Sequence, residues 1–189
     1  MSDDPVFGRT RAQEDEYFLK KDRELIEQIR QKAKVQEELR ALGEEIGVAD
    51  PELSRQLADL GFTPETVRLL PLIPVIEVAW AEGGVTDAER KMVVDLARGR
   101  GIDAGSKADL QLTAWLARRP DDSLFRRAGS LINLLVESGG RVEVTPDDII
   151  KYSEAIADAS GGLFGIRRVS ADERATLSRI ASEIKGRQK

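Results

Sequence analysis

The chain has 189 residues, a formal net charge of −5, no cysteine and no histidine. Without cysteine there are no disulfides, thiolate metal sites or thiol nucleophiles, which suits a reducing, cytoplasmic setting; without histidine the commonest neutral-pH acid–base group and transition-metal ligand are missing. The negative balance argues against nucleic acid as a partner, because non-specific binding draws on clustered cations, and the basic pairs Arg118–Arg119, Arg126–Arg127 and Arg167–Arg168 are scattered.

The opening Met1-Ser2-Asp3-Asp4 has no basic stretch followed by an apolar one, so no secretory signal is expected. From about Arg11 to Gly47 the chain is dense in Glu, Lys, Arg, Gln and Leu, which predicts one long helix. Opposite charges four apart (Glu16 and Lys20, Arg23 and Glu27, Lys34 and Glu38, Arg40 and Glu44) support an exposed helix. Phe18, Leu25, Ile29, Leu39 and Ile46 form a thin apolar seam, interrupted as a heptad by Lys32, Gln36 and Gly43, so a coiled coil and a groove-binding helix are both compatible with it.

Residues 48–62 form a connector: Asp50-Pro51-Glu52 signals a short helix and Gly61 stops it. Thr63-Pro64-Glu65 predicts an N-cap, a first-turn proline and an acid near the positive helix end, opening a helix that must bend or restart at Pro71 and Pro74 and end at Gly83-Gly84. The most apolar stretch, Leu69 to Ala81, contains Glu77 and two prolines and is well short of the ~20 residues that span a bilayer, so no membrane insertion is expected.

Further helices are predicted at about 87–99, 105–118, 121–138, 146–160 and 171–185, from apolar residues recurring at three and four (Met92, Val93, Leu96; Leu112, Trp115, Leu116; Leu131, Leu134, Leu135; Ile149, Ile150, Ile156). Val142-Glu143-Val144 is too short to oppose an all-α helical bundle. The chain thus reads as a charged N-terminal helical segment (1–47), a connector with a short helix (48–62) and a globular helical domain (63–186).

Within that domain a unit recurs. Ala79-Trp80-Ala81-Glu82-Gly83-Gly84 parallels Ala157-Asp158-Ala159-Ser160-Gly161-Gly162, and Val85-Thr86-Asp87-Ala88-Glu89-Arg90 parallels Val169-Ser170-Ala171-Asp172-Glu173-Arg174. Each copy is a helix, a Gly-Gly turn and a helix opened by a hydroxyl with glutamate three residues on, the capping-box spacing.

On these residues the globular part resembles the tellurite-resistance TerB-like family, which implies two duplicated helical hairpins and a stress-associated setting. A cation-binding role suggested for that family's acidic turns would fall here on Glu82, Asp87, Glu89, Asp158, Asp172 and Glu173, hard oxygen ligands for calcium or magnesium. Each of these acids also serves as cap, dipole partner or solvated face, and Ser160 stands where the second turn's acid belongs, so no metal residues are assigned and a cation-binding module centred on the two turns stands as a further alternative.

The N-terminal run Phe7-Gly8-Arg9-Thr10-Arg11-Ala12-Gln13-Glu14-Asp15-Glu16-Tyr17-Phe18 resembles the inhibitory segment of the mitochondrial-type ATP synthase inhibitor family. That resemblance implies insertion of residues 7–40 into the catalytic head of the rotary ATPase, with Phe7, Arg9, Arg11, Glu14, Tyr17 and Phe18 as the contacts. The competing reading packs Phe7, Tyr17 and Phe18 onto the chain's own domain. No catalytic motif stands out among the carboxylates, lysines and hydroxyls, so the expectation is a non-enzymatic adaptor or regulator without a cofactor, binding a protein partner through its N-terminal helix.

Overall fold

The computed structural model describes the backbone of residues 5–141, 146–160 and 171–185, and the side chains of residues 16–141, 147–156 and 171–182. Among the described residues it contains eight α-helices and no strand: α1 (Pro5–Ile46), α2 (Pro51–Asp59), α3 (Ile73–Ala79), α4 (Asp87–Gly99), α5 (Lys107–Ala117), α6 (Asp122–Glu137), α7 (Pro146–Ser160) and α8 (Ala171–Lys185), with a 3-10 segment at Val67–Leu72. The chain divides into two compact units, Met1–Leu39 and Arg40–Lys189.

In the first unit, α1 starts at Pro5, six residues before the expected start. Proline suits a first helical turn because its missing N–H would have no partner there. Two of the four expected charge pairs close, Lys34–Glu38 at 3.9 Å and Arg40–Glu44, in the second unit, at 2.9 Å. Glu27 meets Arg30 at 4.0 Å and Gln31 at 3.0 Å instead of Arg23.

The second unit is built around α3. Its sequence Ile73-Pro74-Val75-Ile76-Glu77-Val78-Ala79 is apolar on nearly every side, the pattern of a helix enclosed by others. It packs against α6, α7, α8 and α4, and α7 packs in turn on α4 and α8. The core gathers Leu53 and Leu57 of α2, Leu69, Leu70 and Leu72 of the 3-10 segment, Leu112 of α5, Ile132 of α6 and Ile149 of α7, all essentially buried. Leu42 and Ile46 from the last turns of α1 join it, and Gly47, at φ +70°, closes that helix.

The segment from Thr63 departs from expectation. Thr63 caps no helix: its hydroxyl donates to Glu65 Oε2 at 2.7 Å and its N–H donates to Thr66 Oγ1 at 2.8 Å, making a turn. The predicted restart is real. Pro71 lies inside the 3-10 segment and Pro74 in the first turn of α3, so neither removes an α-helical hydrogen bond. α3 ends at Ala79 rather than at the glycines, and Gly83 takes φ +85° in the turn that follows.

From α4 onward the bounds fall within two residues of those predicted, and side chains mark the starts of α4, α5 and α6. Thr86, Ser106 and Asp121 each accept a hydrogen bond from a first-turn N–H of α4, α5 and α6. Val142-Glu143-Val144 and the second Gly-Gly turn at Gly161-Gly162 lie outside the described residues.

Candidate functional site

Three places carry residues with functional potential. The first is the described part of α1 in the N-terminal unit. Tyr17 and Phe18 are 57 % and 62 % exposed, with ring centroids 5.9 Å apart in an edge-to-face arrangement, and Lys21 Nζ lies 5.7 Å from the Tyr17 ring centroid. Leu19, Leu25, Ile26, Ile29 and Val35 are also exposed. At 100° per residue, Phe18, Leu19, Leu25, Ile26 and Ile29 share an arc of roughly 120°. The expected seam therefore divides: Phe18, Leu25 and Ile29 face solvent, while Ile46 is core in the other unit. The side chains of Phe7, Arg9, Arg11 and Glu14 lie outside the described residues.

The second place is the start of α4. Thr86 and Glu89 form the complete capping box: Glu89 N–H donates to Thr86 Oγ1 at 3.3 Å, and Glu89 Oε2 accepts from the Thr86 N–H and hydroxyl, each at 2.7 Å. Glu89 is buried, and so is Glu173, its counterpart in the repeat. Burial raises the Glu89 carboxyl above its ordinary value, the Thr86 hydrogen bonds oppose that, and the charges of Glu173 and Glu82 add to the rise. Ser170, the counterpart of Thr86, lies outside the described residues. Among the described residues no three carboxylates gather as cation ligands would; the arrangement seen caps a helix and brings two acids near one another.

The third place escaped sequence reasoning. A cavity of about 240 Å³ in the second unit is lined by Glu45, Ile46, Val67, Arg68, Leu70, Pro71, Arg100, Leu135 and Arg141. Each arginine is held by a different neighbour. Arg68 Nε donates to Glu45 Oε1 at 2.6 Å. The Arg100 guanidinium lies 5.3 Å from the Tyr152 ring centroid. Arg141 N–H donates to the Ile46 carbonyl at 2.7 Å, and its stem lies so close to Gly47 that a Cβ there would sit 2.7 Å from Arg141 Cγ. The three come from the 3-10 segment, the end of α4 and the stretch after α6; no run of basic residues announces them.

No described helix is long and apolar enough to cross a membrane. No protein-family model matches the chain, and no curated protein or solved structure matches it either. The likenesses to TerB-like domains and to ATP synthase inhibitors thus rest on the quoted residues alone.

Proposed function

We propose that this is a non-enzymatic adaptor or regulator of the cytoplasm that grips another protein with the N-terminal helix. One observation carries the reading: five large apolar side chains, Phe18, Leu19, Leu25, Ile26 and Ile29, are about half exposed or more on one helix arc. Leaving such a patch in water is unfavourable at about 25 cal/mol per Å² of apolar surface, and patches of this kind mark interaction sites.

The fitting occupant is an apolar groove on a different protein rather than a second copy of the helix. A coiled coil needs an apolar seam sustained over several heptads, and Asp22 and Gln36 fall inside the arc where a partner helix would pack. A groove needs only the roughly three turns from Phe18 to Ile29. The resemblance to ATP synthase inhibitors supplies a concrete candidate, the catalytic head of that enzyme, and the TerB-like resemblance adds a stress-associated setting.

The test is binding of the full-length protein to purified ATP synthase head and to any protein it captures, each repeated with the double variant Leu25→Asp, Ile29→Asp. Saturable binding to a purified partner that the variant loses supports the reading. Equal binding by the variant, or no partner at all, removes it. Unchanged ATP hydrolysis at excess protein removes the synthase as the partner.

A further inference from the structure

In a chain of net charge −5 the cavity of about 240 Å³ gathers three guanidiniums against one carboxylate, which leaves two positive charges in its lining. Arg68 is paired with Glu45. Among the described residues Arg100 and Arg141 make no ion pair with a carboxylate; their neighbours are the Tyr152 ring and the backbone at the end of α1. The α1 C-terminus carries only about half a negative charge. Gathering like charges around one cavity is unfavourable until an anion enters, and arginines already held in place lose less freedom on binding one.

Beneath the arginines the lining is apolar: Ile46, Val67, Leu70, Pro71 and Leu135. The volume falls just under the ~300–1,000 Å³ usual for drug-sized ligands, so the ligand is small. We propose that this cavity binds a small organic phosphate monoester, its dianionic phosphate held by Arg100 and Arg141 with Arg68 at the rim and its short carbon skeleton laid on Leu70 and Leu135. Guanidinium forks match phosphate oxygens in pairs, and a monoester supplies the two negative charges that the lining lacks. The site lies wholly within the Arg40–Lys189 unit, so it stands or falls independently of the helix-binding reading.

Phenyl phosphate is the first probe, titrated into the full-length protein by calorimetry at constant ionic strength, with inorganic phosphate and benzoate alongside. Saturable binding of phenyl phosphate, tighter than either comparison anion, is expected. Arg100→Gln and Arg141→Gln should each weaken it about tenfold or more, as loss of a charge-assisted hydrogen bond does, and Arg118→Gln, outside the lining, should not. Amide NMR of the unaltered chain guards against a variant that misfolds: signals of Val67, Leu135 and Arg141 should move together as probe is added. Three results would each overturn the proposal: no saturable binding at about 10 mM probe, equal affinity for inorganic phosphate (an adventitious ion only), or NMR shifts centred elsewhere.

Discussion

Glu89 and Glu173 hold the third position of α4 and α8, are 2 % and 0 % exposed, and lie near enough that the charge of Glu173 helps raise the Glu89 carboxyl. The two copies of the repeat therefore meet through the residues that open their second helices. A capping box normally sits at the surface, where its glutamate costs nothing to ionise. Here it is drawn inside.

The pH dependence follows in sign. Folding raises the Glu89 carboxyl above its ordinary 4.5, so it favours the protonated form. The stability this group contributes is complete below about pH 4.5 and is lost as pH rises through the raised value. Glu89→Gln stays neutral and keeps an oxygen for the Thr86 N–H. Its melting temperature should fall less than that of the unaltered chain between about pH 4 and pH 8, and exceed it at the upper end. Parallel slopes in the two melting series would refute the juxtaposition.

The C-terminal carbonyls of α5 give a second prediction. Trp80 Nε1 donates to the Trp115 carbonyl and Arg90 Nη2 to the Leu116 carbonyl, each at 2.9 Å, so the α3–α4 hairpin satisfies groups that a helix end leaves without partners. Trp80→Phe keeps most of the ring but leaves the Trp115 carbonyl without that donor, at a cost of about 1 kcal/mol. Adding Arg90→Ala should cost more than the sum of the single changes, because the two bonds hold one helix end. Urea unfolding of the four proteins measures this directly.

Glu65 is an opposite case to Glu89. Its hydrogen bond from Lys107 Nζ at 2.7 Å and that from the Thr63 hydroxyl hold its carboxyl down at about 2. A lowered carboxyl contributes stability above its unfolded value that is lost as pH falls through the folded one. Lys107→Gln should return the Glu65 titration, followed by side-chain NMR, toward 4.5. A Glu65 midpoint still near 2 in that variant would show that Lys107 is not the main cause.

What could be read from the residues, and what could not, divides along physical lines. Helices α4 to α6 were legible from apolar residues recurring at three and four, and Thr86 was legible as the cap of α4 because a short polar side chain fixes such a start by a local hydrogen bond. Thr63 carried the same signal, yet its hydroxyl went to Glu65, an option that sequence spacing does not exclude. The capping box at Thr86 was legible too, but its burial was not, since that depends on α8 packing nearby. The arginines of the cavity were invisible for the same reason: Arg68, Arg100 and Arg141 stand singly, tens of residues apart, and only tertiary packing brings them to one cavity.

Two glycines test how closely the fold follows the backbone. A Cβ on Gly140 would sit 2.7 Å from Leu135 Cδ1 and 2.9 Å from the Leu135 carbonyl oxygen, whereas one on Gly84 meets nothing within 4 Å. Gly140→Ala must shift the end of α6 and should cost about 1–3 kcal/mol. Gly84→Ala should leave the unfolding free energy within about 0.5 kcal/mol, as surface changes usually do. Equal stability of the two variants in denaturant would contradict the close approach at Gly140.

The helix face makes the last prediction, which separates a binding role from a structural one. Phe18, Leu25 and Ile29 are each more than half exposed in the described chain. Truncating a buried leucine costs about 2–5 kcal/mol, and an exposed one very little. Replacing all three by alanine, itself the best helix former, should therefore leave the thermal midpoint within a degree or two while abolishing partner capture. A drop of several kcal/mol would mean instead that these residues pack against the chain's own domain, and the helix would then be a structural element. Stability lost without a change in capture would place the partner's contact elsewhere on the molecule, and stability kept together with capture kept would leave the apolar arc with no role in binding.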